Sequence, residues 1–264
     1  MSGKLLVDLH NHLLPGVDDG SRTTAESLEH LVGFAVDGVA AVTFTPHLVL
    51  SELATASDID ARLEFLSEAF DAFLYHSSRR TDLPRLALGQ EICARNGEEM
   101  ARVASNPRAG LGGTDYMLVE LGFSPGYDAL GVIEAARSAG RRIVLAHPER
   151  YAYAWSSSPV DEIRRWRDAG AYLQVNGGSL QGNYTQAALI LGQQLVLDDL
   201  VTIIASDNHG NARPENPSQI FSTLVGLVGP DRAGALMGER PARIRGGRPL
   251  EGAPVVPGQA TRVA

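Results

Sequence analysis

The chain has 264 residues, of which 44% are hydrophobic, with 23 basic and 31 acidic side chains for a formal charge of -8. That balance excludes a general attraction to nucleic acid or anionic lipid, and the single cysteine, Cys93, excludes an intrachain disulfide and fits a reducing compartment. No apolar run approaches membrane-spanning length and MSGKLLVDLHNH lacks the apolar stretch of a signal peptide, so a cytoplasmic, soluble protein without membrane insertion is expected.

The first strand-like run, LLVDLHNH, ends in His10 and His12, two apart and therefore on one face of an extended chain. Thr24 precedes AESLEHLVGFAVDG, where Leu28, Leu31, Val32 and Ala35 make an apolar helical stripe that Gly38 stops. AVTFTPH brings His47 to the end of a second strand, and Ile59 to Leu74 repeat the helical period. LALGQE ends in Glu91 and YMLVE in Glu120; Ala129 to Ala139 then form a helix before Gly140. IVLAHPER carries His147 and Arg150, and Pro159 opens the helix PVDEIRRWRDAG with Gly170 as its C-cap. YLQVN ends in Asn176 and VTIIASDNH in Asp207 and His209, followed by a last helix around Ser218 to Val228.

Short strands, apolar on both faces and alternating with amphipathic helices, describe a parallel sheet covered by helices. Seven such strands predict an α/β fold with one domain over residues 1–245, a distorted, incompletely closed (β/α)7 TIM-like barrel. From Gly246 the tail RPLEGAPVVPGQATRVA is rich in Pro and Gly and has no period, so 246–264 is expected to be extended or disordered.

In a parallel β/α barrel the C-terminal strand ends converge on one mouth, where active sites are built. Five of the seven histidines (His10, His12, His47, His147, His209) stand at predicted strand ends, while His30 and His76 fall in helices and read as surface residues. An isolated HxH is weak, but here Asp18 and Asp19 follow in the Gly-flanked loop GVDDGS. Asp19, Glu91, Glu120 and Asp207 supply four negative charges, and the histidines bind as neutral imidazoles. Two divalent ions leave such a centre neutral. Three leave it two units positive, suited to a phosphate dianion and to acidifying a bridging water. Arg150 and Arg213 stand just past two ligand segments and could hold phosphoryl oxygens, although each could instead pair with a local carboxylate such as Glu149. A cysteine phosphatase loop needs Arg six residues after the thiolate, and Glu99 stands there instead. No GxxxxGK[ST] phosphate loop is present.

DLHNHLLPGVDDGSRTTAESLE, TPH, GQE, VELGF, AHPERY and ASDNH together resemble the motifs of the PHP (polymerase and histidinol phosphatase) superfamily. The resemblance is closest to its bacterial capsule-operon protein-tyrosine phosphatases. It implies the distorted (β/α)7 barrel, three divalent ions (manganese above all, with iron, zinc or magnesium as alternatives), and hydrolysis by a metal-bridging hydroxide. The implied partner is the phosphotyrosine tail of a bacterial tyrosine kinase that controls exopolysaccharide export. Carried over by position, one metal takes His10, His12, Glu91 and Asp207, and a second takes Glu91, Glu120 and His147. The third takes Asp19, His47 and His209, with Asp19 preferred to Asp18 because it directly precedes the glycine. Arg150 and Arg213 match the phosphate-binding arginines, and His147 and Asp207 join them as catalytic residues. The chain departs from the pattern at Leu48 and Gly210, where relatives often carry TPHH and SDAHN. Rival readings are a histidinol-phosphate or other small phosphomonoesterase, an amidohydrolase, and a non-catalytic metal-binding barrel. The amidohydrolase is disfavoured because Lys4 is the only lysine, and the non-catalytic barrel because no proposed ligand is missing.

Overall fold

A computed structural model describes residues 5–153 and 158–250. Its elements run β1 (Leu6–Asp8), α1 (Thr24–Val36), β2 (Val39–Phe44), β3 (His47–Val49), α2 (Ala56–Ser77), β4 (Arg85–Leu88), β5 (Glu91–Cys93), α3 (Gly97–Ala104) and β6 (Tyr116–Glu120). They continue with α4 (Ala129–Ser138), β7 (Arg142–Ala146), α5 (Pro159–Asp168), β8 (Tyr172–Asn176), α6 (Gly177–Gln181), α7 (Gln186–Leu197), β9 (Ile203–Ala205), α8 (Pro217–Val228), α9 (Pro230–Gly234) and α10 (Arg240–Arg245).

Each of the seven expected strand segments contains a strand, and every pairing is parallel. The expected incompletely closed barrel is not seen as one continuous sheet. The described strands form two sheets, β1-β2-β4 and β3-β5-β6-β7-β8-β9. The break has a local cause: Pro46 has no N–H to give to a ladder, so the second segment divides into β2 and β3. The partner segment divides at the same level, between Leu88 and Glu91, and only the Gly89 N–H to Phe44 O (2.8 Å) and Glu91 N–H to Pro46 O (3.1 Å) bonds cross the gap. At the other edge, β1 and β9 do not pair. The chain just beyond them meets through one bridge, Asn11 with Asn208.

Helix boundaries moved where caps decide them. Thr23, not Thr24, caps α1 by accepting from the Glu26 N–H, and the helix buries Ser27, Leu31 and Phe34, a face rotated from the expected stripe. A capping box between Thr55 and Asp58 starts α2 three residues before Ile59. Ala169 is the C-cap of α5, with Gly170 following in a left-handed conformation. The helices α3, α6, α7, α9 and α10 were not expected. GEEMARVA and GGSLQ are too short for periodicity to show, and α7 is apolar on most sides.

Two bodies of apolar side chains hold the fold. The larger lies between strands and helices and includes Phe34, Phe44, Phe73, Leu63, Ile133 and Trp166. The smaller packs strand residues of both sheets together: Val7 and Ala41 from one, Leu118, Val144, Tyr172 and Ile203 from the other, closed at the base by Leu111, Ile244 and Leu250. The first residues of the expected tail therefore stay on the body, with Leu250 buried and Arg248 O accepting from the Tyr116 hydroxyl (3.1 Å). Residues 251–264 of that tail lie outside the described residues. Among the described residues no helix is long and apolar enough to cross a membrane.

Candidate metal centre

Alternation at the end of β1 sends His10 and His12 to one side and Asn11 to the other. Asn11 fastens the strand end outward, donating to Asp8 Oδ2 (2.9 Å) and Thr43 O (3.0 Å). The two histidines are fully buried, and each has its Nδ1 occupied from behind. His10 Nδ1 lies 2.9 Å from Gln174 Oε1, and His12 Nδ1 lies 2.7 Å from Asp18 Oδ2. A partner on Nδ1 fixes ring and tautomer so that Nε2 offers its lone pair forward, the usual support of a metal-binding histidine.

Those forward nitrogens meet carboxylates from other strand ends. His10 Nε2 stands 3.1 Å from Glu91 Oε1 and 3.4 Å from Asp207 Oδ1, and His12 Nε2 stands 3.3 and 3.4 Å from the same two residues. His147 Nε2 is 2.8 Å from Glu91 Oε1, and His47 Nδ1 is 2.9 Å from Glu91 Oε2. Asp19 reaches His47 (3.3 Å) and His209 (3.5 Å). His10 Nε2, His12 Nε2 and His47 Nδ1 are buried with no hydrogen-bond partner, although carboxylate oxygens lie beside them. Unpartnered ring nitrogens pointing into a volume shared with carboxylate oxygens fit a nitrogen–oxygen ligand set for divalent ions.

All nine sequence-expected ligands fall into groups whose ligand atoms lie within 4.8 Å of one another. The groups are His12, Asp19, His47 and His209; His10, His147 and Asp207; His10, His12 and Glu91; and His47, Glu91 and Glu120. Glu120 thus gathers with His47 and Glu91, whereas the resemblance assigned it beside His147. Asp18 works from behind His12, and it also accepts from the Gly20 and His47 N–H groups (3.1 and 3.2 Å).

Charge follows this geometry. Burial opposes ionisation of Glu91 and Asp207, but the surrounding histidines outweigh it and hold both carboxyls far below the usual range. Burial likewise opposes protonation of His47, yet Asp19 and Glu91 bring it up to about 10. Burial and the neighbouring Glu91 push Glu120 up to about 7. Half-buried beside Glu120, the Cys93 thiol is pushed up to about 12, which leaves it protonated and a poor nucleophile.

The backbone is strained where ligands are presented. His147 (φ 33°) and Asp207 (φ 54°) are two of three non-glycine residues with positive φ among the described residues. Such conformations cost on the order of 1–3 kcal/mol each and gather at functional sites. Gly20 shows the tightness of the first loop, since a Cβ there would lie 1.9 Å from His12 O. Gly20→Ala is expected to cost about 1–3 kcal/mol and to loosen the Asp18–His12 contact. Thermal unfolding and bound-metal content would both report it.

Both arginines arrive at the rim. Arg150 Nη1 donates to Asp207 Oδ2 (2.8 Å) and its guanidinium lies between the rings of Phe123 (4.9 Å) and Tyr184 (4.2 Å). It does not pair with Glu149, whose carboxylate turns inward to accept from Ser179 Oγ (2.7 Å) and the Asn176 N–H (3.0 Å). Arg213 lies against the His209 ring and 3.4 Å from Asp207. Gln174, Asn176 and Tyr184 are not among the site residues expected from the sequence. Gln174 donates to Asn176 Oδ1 (2.7 Å), and Asn176 donates to Asp207 Oδ2 (2.7 Å), so one hydrogen-bonded chain ties His10 to Asp207. Polar side chains inside YLQVN, a strand buried on both faces, were the available signal. Beside Asp19 and His47 the centre opens into a cleft of about 440 Å³ lined by Val49, Glu52 and Arg62.

The family profile described as capsular polysaccharide synthesis, CpsB/CapC, matches residues 6–243. The tyrosine-protein phosphatase YwqE of Bacillus subtilis (strain 168) is 28% identical over 214 residues, 80% of either chain. The putative tyrosine-protein phosphatase CapC of Staphylococcus aureus is 27% identical over 220 residues, 82% of either chain. A crystal structure from work on YwqE of B. subtilis and CpsB of Streptococcus pneumoniae, metal-dependent tyrosine phosphatases, shares the fold. It aligns with a TM-score of 0.76 at 23% identity, covering 93% of this chain and 96% of that one. The profile runs from β1 into α10 and takes in every candidate ligand, so the chain belongs to the capsular polysaccharide synthesis CpsB/CapC family.

Proposed function

We propose that the protein is a metal-dependent protein-tyrosine phosphatase. The observation that carries this reading is the convergence of nine histidine and carboxylate ligands beneath two arginines at one set of strand ends. The family and the names of its relatives agree with it. The substrate we infer is the phosphotyrosine tail of a bacterial tyrosine kinase of exopolysaccharide synthesis, met in the cytoplasm. We read the two sheets as one distorted seven-stranded barrel, because their inward side chains share a core and the Asp207 N–H to His10 O and His12 N–H to Asn208 O bonds (2.8 Å each) join their free edges. Residues 1–245 would form the catalytic domain, and 246–264 a tail whose first residues, through Leu250, pack on it.

Three divalent ions, manganese for preference, would be held as the family resemblance implies: His10, His12, Glu91 and Asp207 for one; Glu91, Glu120 and His147 for another; Asp19, His47 and His209 for the third. Bound there, they would supply positive charge for the phosphoryl oxygens and lower the pKa of a coordinated water. The chain's own residues do the rest. Gln174, Asn176 and Asp18 fix the ligand side chains in advance, so little reorganisation is needed during reaction. Arg150 and Arg213 present guanidinium forks to the non-bridging oxygens, where charge builds as the phosphorus–oxygen bond breaks. A phenolate leaves with a pKa of about 10 and needs little proton donation, which suits a rim with no candidate general acid assigned.

The test compares phosphate release from a phosphotyrosine peptide, its phosphoserine counterpart and histidinol phosphate, with Mn²⁺ present. The phosphotyrosine peptide should be cleaved fastest by a wide margin. Arg150→Ala should weaken both binding and turnover, roughly ten- to a hundredfold in kcat/KM for loss of a charged hydrogen-bonding group, while metal content stays intact. Faster hydrolysis of histidinol phosphate would assign the site to a small metabolite instead.

A further inference from the structure

We propose that Tyr184, in the loop between α6 and α7, is a third donor of the phosphate grip, holding a non-bridging phosphoryl oxygen through its hydroxyl while its ring orients Arg150. The inference rests on the phosphatase reading above. Its first support is a vacancy in the hydrogen bonding. The Tyr184 hydroxyl is buried, yet among the described residues nothing accepts from it or donates to it. Buried hydroxyls are nearly always partnered, and one left open beside a reactive centre is available to a ligand. Its second support is placement. The Arg150 guanidinium carbon sits 4.2 Å from the ring centroid and that of Arg213 5.7 Å from it, so the same ring lies against both arginines. The charges that bear most on the hydroxyl are those of Asp207, Arg213 and Arg150. Burial pushes the phenol up, so it keeps its proton throughout the neutral range.

The local sequence is built to let the ring in. Gly182 turns the chain in a left-handed conformation, and the Asn183 N–H returns to Gly178 O (2.9 Å). Asn183 Nδ2 donates to the Glu215 carboxylate (3.3 Å), which fixes the loop against the segment that carries Arg213. A Cβ on Gly178 would lie 2.9 Å from a Tyr184 ring carbon and 2.1 Å from Glu215 Oε1, so only glycine leaves the ring and the carboxylate in place. Two guanidinium groups give planar forks of donors, and a phenol hydroxyl adds a single donor from a different direction. Three directions suit the three non-bridging oxygens of a tetrahedral phosphomonoester.

The experiment uses the full chain loaded with Mn²⁺. It measures kcat and KM on a phosphotyrosine peptide, competitive inhibition by inorganic phosphate, bound metal and the thermal midpoint. Tyr184→Phe keeps the ring over Arg150 and removes only the hydroxyl. We expect kcat/KM to fall and the phosphate inhibition constant to rise, each by about ten- to a hundredfold, the size of one hydrogen bond to a charged group. Metal content and midpoint should stay at the parent values. Tyr184→Leu should fall further, because Arg150 also loses its ring face. Parent-like values of both kinetic quantities in Tyr184→Phe would overturn the proposal, and so would losses that merely track a lowered midpoint or lost metal. If the parent itself releases no phosphate from the peptide yet binds inorganic phosphate through Tyr184, the phosphatase reading fails and the anion site stands.

Discussion

Asp207→Ala is expected to lower phosphotyrosine hydrolysis about a thousandfold or more, and His147→Ala to do the same, whereas Cys93→Ser should stay within a few-fold of the parent. Asp207 is the residue on which most of the centre leans. Its Oδ1 stands 3.4 Å from each of His10, His12 and His209, while its Oδ2 accepts from Arg150 and Asn176. Truncation removes a ligand atom and also releases Arg150 and Asn176 from their shared partner. His147 touches Glu91 from the opposite side and stacks on Phe123, so its loss opens the wall of the site that Arg150 leans on. Cys93 has no such position. Its thiol is held protonated by burial and by Glu120 and Glu91, and no arginine follows it at the spacing a thiolate phosphatase requires. Steady-state kinetics on one phosphotyrosine peptide would compare the three variants, with metal content measured alongside. A loss in Cys93→Ser equal to that in Asp207→Ala would overturn metal-dependent chemistry in favour of a covalent thiol route.

How far the site could be read in the sequence depended on which backbone feature carried each residue. His10, His12, His147, Asp207 and His209 stand at the ends of apolar runs, and strand ends in a parallel fold share one edge, so linear position sufficed to bring them together. The choice of Asp19 over Asp18 came from family likeness alone. The structure gives both a place, Asp19 facing His47 and His209, Asp18 behind His12. Gln174 and Asn176 were passed over because strand periodicity says which face a side chain takes and not what it meets there. Tyr184 was invisible for a different reason. It belongs to a loop with no period, and its approach to Arg150 depends on the bare Gly178, a tertiary coincidence of two segments. The strands divide into two sheets at Pro46, where the missing N–H was legible but its effect on the neighbouring segment was not. Cap chemistry explains the smaller shifts, such as Thr23 and Thr55 starting helices before the apolar stripes begin.

Chelation by EDTA is expected to abolish activity altogether, and Mn²⁺ to restore it with more than two ions bound per chain. The charges within the ligand set decide what metal binding must displace. Asp19, Glu91 and Asp207 are held ionised in close company, and the balance comes from imidazoles that take up protons in answer: Asp19 and Glu91 bring His47 up to about 10, and His12 is raised well above its ordinary value. A metal ligand must give up that proton. At neutral pH the metal-free protein therefore carries protons on His47 and His12 that binding has to expel, so Mn²⁺ addition should release protons into a weakly buffered solution. The sign of the pH dependence follows: below the raised histidine values each fall in pH makes the exchange costlier, and metal affinity drops. Calorimetry in buffers of different ionisation enthalpy would count the protons, and elemental analysis of the active enzyme would count the ions. A single ion, or none, in fully active protein would refute the three-metal assignment. Proton uptake on metal binding would show instead that the imidazoles around Glu91 are not the groups displaced.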